Sequence, residues 1–165
     1  MDTPSSHAHE AERHIRLGRY YLAEGMAERA LRSFELAVQR NPESFASLYE
    51  RGRCHWRMGH IEDARRDVND AIARAPIEAE ALALRAEIRL HDGHLEGAIE
   101  DAVQATLIEP ETVAYRLLKG RVLERLGDIT KALLEYEGIL AGEPDHAEAL
   151  LACAELYLRR NDHRR

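Results

Sequence analysis

A strict period of 34 residues constrains this chain more than any other feature of its sequence. Three kinds of residue keep the period in one register: Pro42, Pro76, Pro110 and Pro144; Gly25, Gly59, Gly93 and Gly127; and Ala30, Ala64, Ala98 and Ala132. Such agreement without a single insertion does not arise by chance. The chain is therefore predicted to be an array of repeats rather than a domain built around one central core.

Each period predicts two antiparallel helices. Glycine suits the left-handed backbone that follows a helix end, and the residue before a proline is pushed out of the helical region. One helix is thus expected to end just before each periodic glycine, and a second to run from there to near each proline. Helix-forming Ala, Leu, Glu and Arg are abundant, so the fold class is predicted to be all-α. Helix pairs of fixed length stack into an α-solenoid.

The residues of the first unit point to a family. They are Leu17, Gly18, Tyr21, Gly25, Ala30, Phe34, Ala37 and Pro42. The pattern resembles the tetratricopeptide repeat family, whose unit has 34 residues. The resemblance implies a right-handed superhelix with these parts: a disordered polar leader (1–10), four repeats (11–44, 45–78, 79–112 and 113–146), a closing helix (147–160) and a polar tail (161–165).

Several positions that are large and apolar in the family hold other residues here. They are His14, Arg51, His55, Val68, Arg85, Arg89, Ala102, Arg116 and Lys119. Smaller or charged side chains at these places bury less apolar surface. The second to fourth repeats are therefore expected to be softer than the first.

Composition excludes several classes of function. The formal net charge is −7, which argues against binding to nucleic acid. No apolar run approaches the roughly 18 residues that suggest a membrane span, and the polar N-terminus does not resemble a signal peptide. Cys54 and Cys153 are too few for a disulfide scaffold and are predicted to be reduced thiols. A cytoplasmic location follows as an expectation.

No signature of catalysis is present. The sequence has neither a glycine-rich phosphate loop nor a nucleophile elbow. The pairs His7 with His9 and His91 with His94 lack the further ligands that a metal site needs. The protein is therefore predicted to be non-enzymatic, with no metal and no cofactor.

The resemblance implies that the first helix of each repeat lines a concave groove that binds a partner. Candidate groove residues are Arg16, Arg19, Tyr49, Arg53, Trp56, Arg57, Arg121 and Arg125. Arginine and aromatic residues together are typical of binding hot spots, so a peptide or helix with acidic and apolar residues is the predicted partner. The alternative is that Trp56 packs between neighbouring first helices and that the arginines are ordinary solvated groups.

One specificity of the family is excluded. Co-chaperones of the family hold a C-terminal carboxylate with lysines, asparagines and an arginine at five groove positions. Those positions hold Ile15, Arg19, Glu50, Glu80 and Leu84 here. The carboxylate clamp is absent, and a heat-shock co-chaperone role is not expected.

The closing helix suggests a second function. Leu150, Cys153, Ala154 and Tyr157 are predicted to pack on the fourth repeat, which leaves Leu151, Leu156 and Leu158 on other faces. A terminal helix of a solenoid is usually polar. The alternative hypothesis is therefore a structural protein that oligomerises through this helix. An array cut from a longer protein and a tolerated semi-apolar cap are two further interpretations.

Overall fold

A computed structural model describes residues 4–162 of the chain, which form nine helices and no strand over that range. The helices are α1 (Pro4–Ala23), α2 (Ala27–Arg40), α3 (Phe45–Arg57), α4 (Ile61–Arg74), α5 (Ala79–His91), α6 (Leu95–Ile108), α7 (Val113–Arg125), α8 (Ile129–Gly142) and α9 (Ala147–Asp162). From α3 onward, every odd-numbered helix begins on the first residue of a predicted unit. The all-α class is confirmed.

The two ends of the array differ from prediction. Helix α1 already begins at Pro4, so a disordered leader is wrong over residues 4–10. Proline is tolerated in the first turn of a helix, and a salt bridge of 3.1 Å between Glu10 and Arg40 ties the extension to α2. Helix α9 continues to Asp162, two residues into the predicted tail. Residues 1–3 and 163–165 lie outside the described range.

The periodic glycines close the same turn four times. Gly25, Gly59, Gly93 and Gly127 have φ between +73° and +80°, the left-handed region predicted for them. After each glycine, the next amide bonds back to the helix just ended: Met26 N donates to Tyr21 O at 2.8 Å, Asp128 N to Leu123 O at 3.0 Å. This Schellman-type bond satisfies carbonyls that the helix end leaves open.

The chain divides into two compact units, Met1–Ile88 and Arg89–Arg165. In the first, Ala30, Phe34 and Cys54 form a fully buried cluster under Tyr21 and other apolar side chains. In the second, the buried cluster has these members: Leu117, Leu123, Ala132, Leu133, Tyr136, Ile139, Ala149, Cys153 and Leu156.

Small residues let the two helices of a repeat approach closely. A Cβ atom added at Gly18 would lie 2.5 Å from the ring of Phe34, and one added at Gly120 would lie 2.5 Å from the ring of Tyr136. In both repeats an aromatic ring of the second helix occupies the space above a glycine of the first. Any side chain at these glycines would displace the ring and destabilise the repeat by overpacking.

Ion pairs occupy several of the places where the family has large apolar residues. Arg51 donates two hydrogen bonds of 2.6 Å to the buried Asp67. Arg89 donates to Asp101 at 2.8 Å and to the carbonyl oxygen of Gly97 at 2.9 Å. Lys119 on α7 likewise lies 2.7 Å from Glu135 on the facing helix α8. The departures from the family pattern are therefore matched by an acidic residue on the facing helix.

Candidate functional site

A buried carboxylate lies at the centre of the predicted groove surface of the first unit. Glu50 is only 2% exposed. Its Oε1 accepts a hydrogen bond of 2.6 Å from Arg19 Nε, and its Oε2 accepts one of 2.6 Å from Arg53 Nη2. Two charge-assisted bonds satisfy the carboxylate, which would otherwise be costly to bury. The bond from Arg19 joins α1 to α3, and the bond from Arg53 lies within α3. Together they hold both guanidinium groups in fixed positions.

The pairing corrects the interpretation of Arg19 and Arg53 as cations reserved for a partner. Glu50 already neutralises part of their charge. Partial burial lowers the pKa of Arg19, but the hydrogen bond and charge of Glu50 outweigh it, so that pKa lies above its ordinary value. Arg19 and Glu50 are 31 residues apart in the sequence, three residues fewer than the repeat length of 34. This spacing is the sequence feature that could have revealed the pair. Positions with this offset face each other on neighbouring first helices.

Trp56 shows the same offset. Its indole Nε1 donates a hydrogen bond of 3.2 Å to Glu87, 31 residues further along on α5. The ring is half-buried and contacts the neighbouring first helix through this bond, which agrees with the alternative interpretation of Trp56. The exposed half of the ring leaves apolar surface beside Arg57, whose side chain is exposed.

Tyr49 forms part of the wall of this surface. It is buried, and its ring stacks on Phe45 with centroids 5.6 Å apart and planes 6° from parallel. The guanidinium of Arg53 lies 5.8 Å from the centroid of the Tyr49 ring, within the range of a cation–π contact. Tyr49 therefore positions Arg53 and is not an exposed anchor.

The charge on this surface is balanced rather than basic. Besides Glu50, it carries Glu12, Glu80 and Glu87 close to the arginines. Burial of the carboxyl and the nearby charge of Glu50 raise the pKa of Glu80. Of the predicted cations here, Arg16 and Arg57 are exposed. A partner meets alternating charges rather than a uniform positive field.

The remaining groove candidates lie on α7, in the second unit. Arg121 and Arg125 are exposed. Leu117 and Leu118, which the resemblance also places in the groove, are buried. In the first unit Ile15 is likewise buried. Ile15, Leu117 and Leu118 thus serve packing, and the accessible groove candidates are the charged ones and part of the Trp56 ring.

The structure offers no constellation for metal or nucleophilic chemistry within residues 4–162. No group of three or more His, Cys, Asp or Glu side chains is placed there to hold a metal ion. Burial raises the pKa of the Cys54 thiol to about 11, which makes it a poor nucleophile. His55 and His60 approach each other at 3.3 Å between their Nδ1 atoms, as a hydrogen-bonded pair.

The second candidate surface is the outer face of α9, and its composition differs from prediction. Leu156 is completely buried with Ala149 and Cys153, so assigning Leu156 to self-association is wrong. Leu151 and Leu158 are 62% and 66% exposed. Two residues predicted to pack on the fourth repeat instead face outward: Leu150 and Ala154. Tyr157 is partly exposed, and its hydroxyl donates a hydrogen bond to Glu137 on α8 of that repeat. Residues 150, 154 and 157 occupy the positions at which the first helix of a repeat contacts the second helix of the same repeat. Residues 149, 153 and 156 occupy the positions that contact the preceding repeat.

Repeated helix pairs with glycine turns and small-to-large contacts define a helical-repeat protein of the solenoid class. Two family models, each described as a tetratricopeptide repeat, match residues 21–88 and 117–165 and together span more than half of the chain. The chain belongs to the tetratricopeptide repeat family, whose fold serves protein–protein interaction. The search of curated proteins found no match.

Solved structures of bacterial repeat proteins are similar to it. A thermophilic TPR protein of Thermus thermophilus has 28% identity and a TM-score of 0.74, with 91% of this chain and 82% of that one covered. PilF of Pseudomonas aeruginosa has 18% identity and a TM-score of 0.84, covering 94% and 71%. YrrB, described as a TPR protein with an unusual peptide-binding site, has 16% identity and a TM-score of 0.75, covering 90% and 76%.

No helix of the described residues is both long enough and apolar enough to cross a membrane.

Proposed function

We propose that the first unit binds a peptide or helix of a protein partner along the surface formed by α1, α3 and the start of α5, as a non-enzymatic scaffold. The observation that carries this proposal is the fixed arrangement around Glu50. Because its carboxylate holds Arg19 and Arg53 in place, the partner does not have to order these long side chains when it binds. The peptide-binding site described for YrrB, which has the same fold, supports the proposal.

The partner's chemistry follows from what remains accessible. Arg19 is 53% exposed despite its bond to Glu50, so its remaining N–H groups are available to a carboxylate. Arg57 adds a second exposed cation beside the half-buried ring of Trp56. A segment with an acidic residue next to an apolar or aromatic one fits this arrangement. The adjacent Glu80 and Glu87 disfavour a run of consecutive acidic residues.

Peptide binding by the full chain tests the proposal. Labelled peptides that combine one acidic and one aromatic residue are compared with all-acidic and neutral peptides by fluorescence anisotropy. The double variant Trp56→Ala, Arg57→Glu is expected to lose at least about tenfold in affinity, as hot-spot residues do. Arg66→Glu, on the exposed face of α4, is the matched control. Equal affinity of the double variant and the parent chain would contradict the assignment.

We also propose a second function, self-association through the outer face of α9. The observation that favours it is the exposed apolar surface of Leu150, Leu151 and Leu158, next to Tyr157, whose hydroxyl donates a hydrogen bond to Glu137 of α8. Contiguous exposed apolar surface marks interaction sites in soluble proteins. Light scattering over a range of concentrations tests it with Leu151→Glu, Leu158→Glu as the variant. A parent chain that stays monomeric at high concentration would remove this function.

A further inference from the structure

The exposed residues of α9 form one mainly apolar stripe. At its edge, Tyr157 donates its hydroxyl to Glu137 of α8 and has the guanidinium of Arg160 4.8 Å from its ring centroid. At about 100° per residue, these side chains fall within one third of the helix circumference: Ala147, Leu150, Leu151, Ala154, Tyr157 and Leu158. Ala154, the smallest residue of the central turns, lies at the middle of the stripe. Glu155 and Glu148 border it on one edge. A small residue at the centre permits the close approach of a second helix.

The stripe is symmetric about Ala154. Leu150 and Leu158 lie four residues before and after it, and Leu151 and Tyr157 lie three residues before and after it. A two-fold axis through Ala154, perpendicular to the helix, brings two copies of α9 together in antiparallel orientation. Leu151 then packs beside Leu158 of the second copy, and Leu150 beside Tyr157 of the second copy. Each large side chain meets another large one, with the two alanines between them.

We propose that α9 pairs with α9 of a second copy of this chain as an antiparallel two-fold dimer with Ala154 at the axis. The proposal rests on the second function given above and specifies its geometry. A two-fold interface uses the same patch on both chains, so the patch must be self-complementary. The spacing about Ala154 has this property, whereas an unrelated helix would not require it.

The charges that border the stripe favour the antiparallel orientation. Glu148, in the first turn of α9, and Arg159, in its last turn, lie on the same edge and are exposed. Arg159 lies 3.9 Å from Glu124 of its own chain, but 59% of its side chain stays exposed. The antiparallel arrangement places Glu148 beside Arg159 of the second copy, twice per dimer. In a parallel pair, Glu148 would lie beside Glu148 of the second copy, and Arg159 beside Arg159 of the second copy. Glu155, near the axis, faces Glu155 of the second copy and limits the affinity.

Charge reversal at the ends of α9 tests this geometry in the full chain by sedimentation equilibrium. Glu148→Arg alone is expected to weaken dimerisation roughly 3- to 10-fold, because it places like charges together at both ends. The double variant Glu148→Arg, Arg159→Glu restores opposite charges and is expected to recover the affinity. Glu155→Gln is expected to tighten the dimer. Glu111→Arg, exposed just before α7, is the matched control.

A central substitution gives an independent readout. Ala154→Arg, which places a long cation at the axis, is expected to abolish the dimer while circular dichroism shows unchanged helix content. A dimer that survives Ala154→Arg overturns the proposal. If Leu151→Glu, Leu158→Glu abolishes association but the charge-reversed double variant is no better than the single one, α9 associates in another orientation and the two-fold geometry is wrong. A monomeric parent chain removes both this geometry and the second function.

Discussion

The first and fourth repeats join their two helices differently from the second and third. In the outer pair, an aromatic ring of the second helix, Phe34 or Tyr136, lies over a glycine and is buried. In the inner pair, the same place holds Val68 or Ala102. Beside it lies a bond from an arginine to a buried aspartate, from Arg51 in the second repeat and from Arg89 in the third. The fourth repeat combines its ring with an ion pair between Lys119 and Glu135, so the buried ring is what the inner repeats lack.

The difference shows that one backbone geometry is compatible with two kinds of contact between helices. A buried ring contributes through the apolar area it removes from water. A buried ion pair gains attraction but loses the hydration of both groups, so its net contribution is small while the loss of one partner is costly. The stability of the outer repeats should therefore depend on the volume of the buried ring. The stability of the inner repeats should depend on keeping both charges of the ion pair. Four measurements sharpen or break this contrast.

The largest effect is expected at an aromatic position of an outer repeat. Phe34→Ala leaves a cavity next to Gly18 and should lower the free energy of unfolding by about 3–5 kcal/mol. Val68→Ala, at the same position of the second repeat, removes two methyl groups and should cost clearly less. Denaturant unfolding followed by circular dichroism measures both, with Leu36→Ala on the exposed side of α2 as control. Equal losses at positions 34 and 68 would break the contrast.

The second effect isolates the ion pair of an inner repeat. Arg51→Ala leaves Asp67 buried without its partner and should cost about 3 kcal/mol. The double variant Arg51→Leu, Asp67→Ala removes both charges and should stay within about 1 kcal/mol of the parent chain. Arg66→Ala breaks an exposed pair with Asp63 and should change stability by less than about 1 kcal/mol. If the double variant is the less stable of the two Arg51 variants, the pair contributes attraction beyond its desolvation cost.

The third effect should be the same in outer and inner repeats. Alanine at Gly25, Gly59, Gly93 or Gly127 meets no atom within 4 Å but must adopt a positive φ. Each substitution should therefore cost about 1 kcal/mol through the backbone alone. Gly142→Ala, where φ is not positive, should not destabilise the chain. Thermal unfolding of the four variants gives the comparison, and a spread of several kcal/mol among them would show that the turns are not equivalent.

The smallest effect is a pH dependence confined to the second repeat. Burial lowers the pKa of His55, against the opposing charge of Asp67. The folded chain thus binds the proton less well than the unfolded chain, and stability should fall as the pH drops through the ordinary histidine range, roughly 7 to 5. Hydrogen exchange of residues 45–74 should show the loss, which His55→Gln should reduce. The first repeat has Tyr21 at this register, and an equal loss in residues 11–40 would contradict this origin.

Much of the fold could be predicted from the sequence because its determinants are local. The periodic glycines fix the turns through their own backbone, and the helix-forming stretches between them need no distant partner. The ends were harder to predict. Residues 4–10 are polar, and a salt bridge from Glu10 to α2 accompanies their helix. No pattern within one repeat reveals a contact of this kind.

The candidate sites were predicted less well because their contacts run between repeats. Arg19 looks accessible within its own helix, and its bond to Glu50 appears only when α1 and α3 are placed side by side. The bond of Arg53 to Glu50 is an i,i+3 pair within α3. The face of α9 shows the same difficulty. Leu156 looked exposed because within-repeat positions were used to orient α9, but it belongs to the set that packs on the preceding repeat.

The ion pairs and ring-over-glycine contacts have a consequence for recombination. The ring-over-glycine contacts and three ion pairs each join the two helices of a single 34-residue unit: Arg51–Asp67, Arg89–Asp101 and Lys119–Glu135. A crossover between homologous arrays near Pro42, Pro76 or Pro110 exchanges complete units and keeps every such pair intact. A crossover at a glycine turn separates the two members and can leave a buried aspartate opposite a leucine, or a ring opposite an arginine. The proline loops are therefore the sites where new arrays are assembled from old units at the lowest cost in stability.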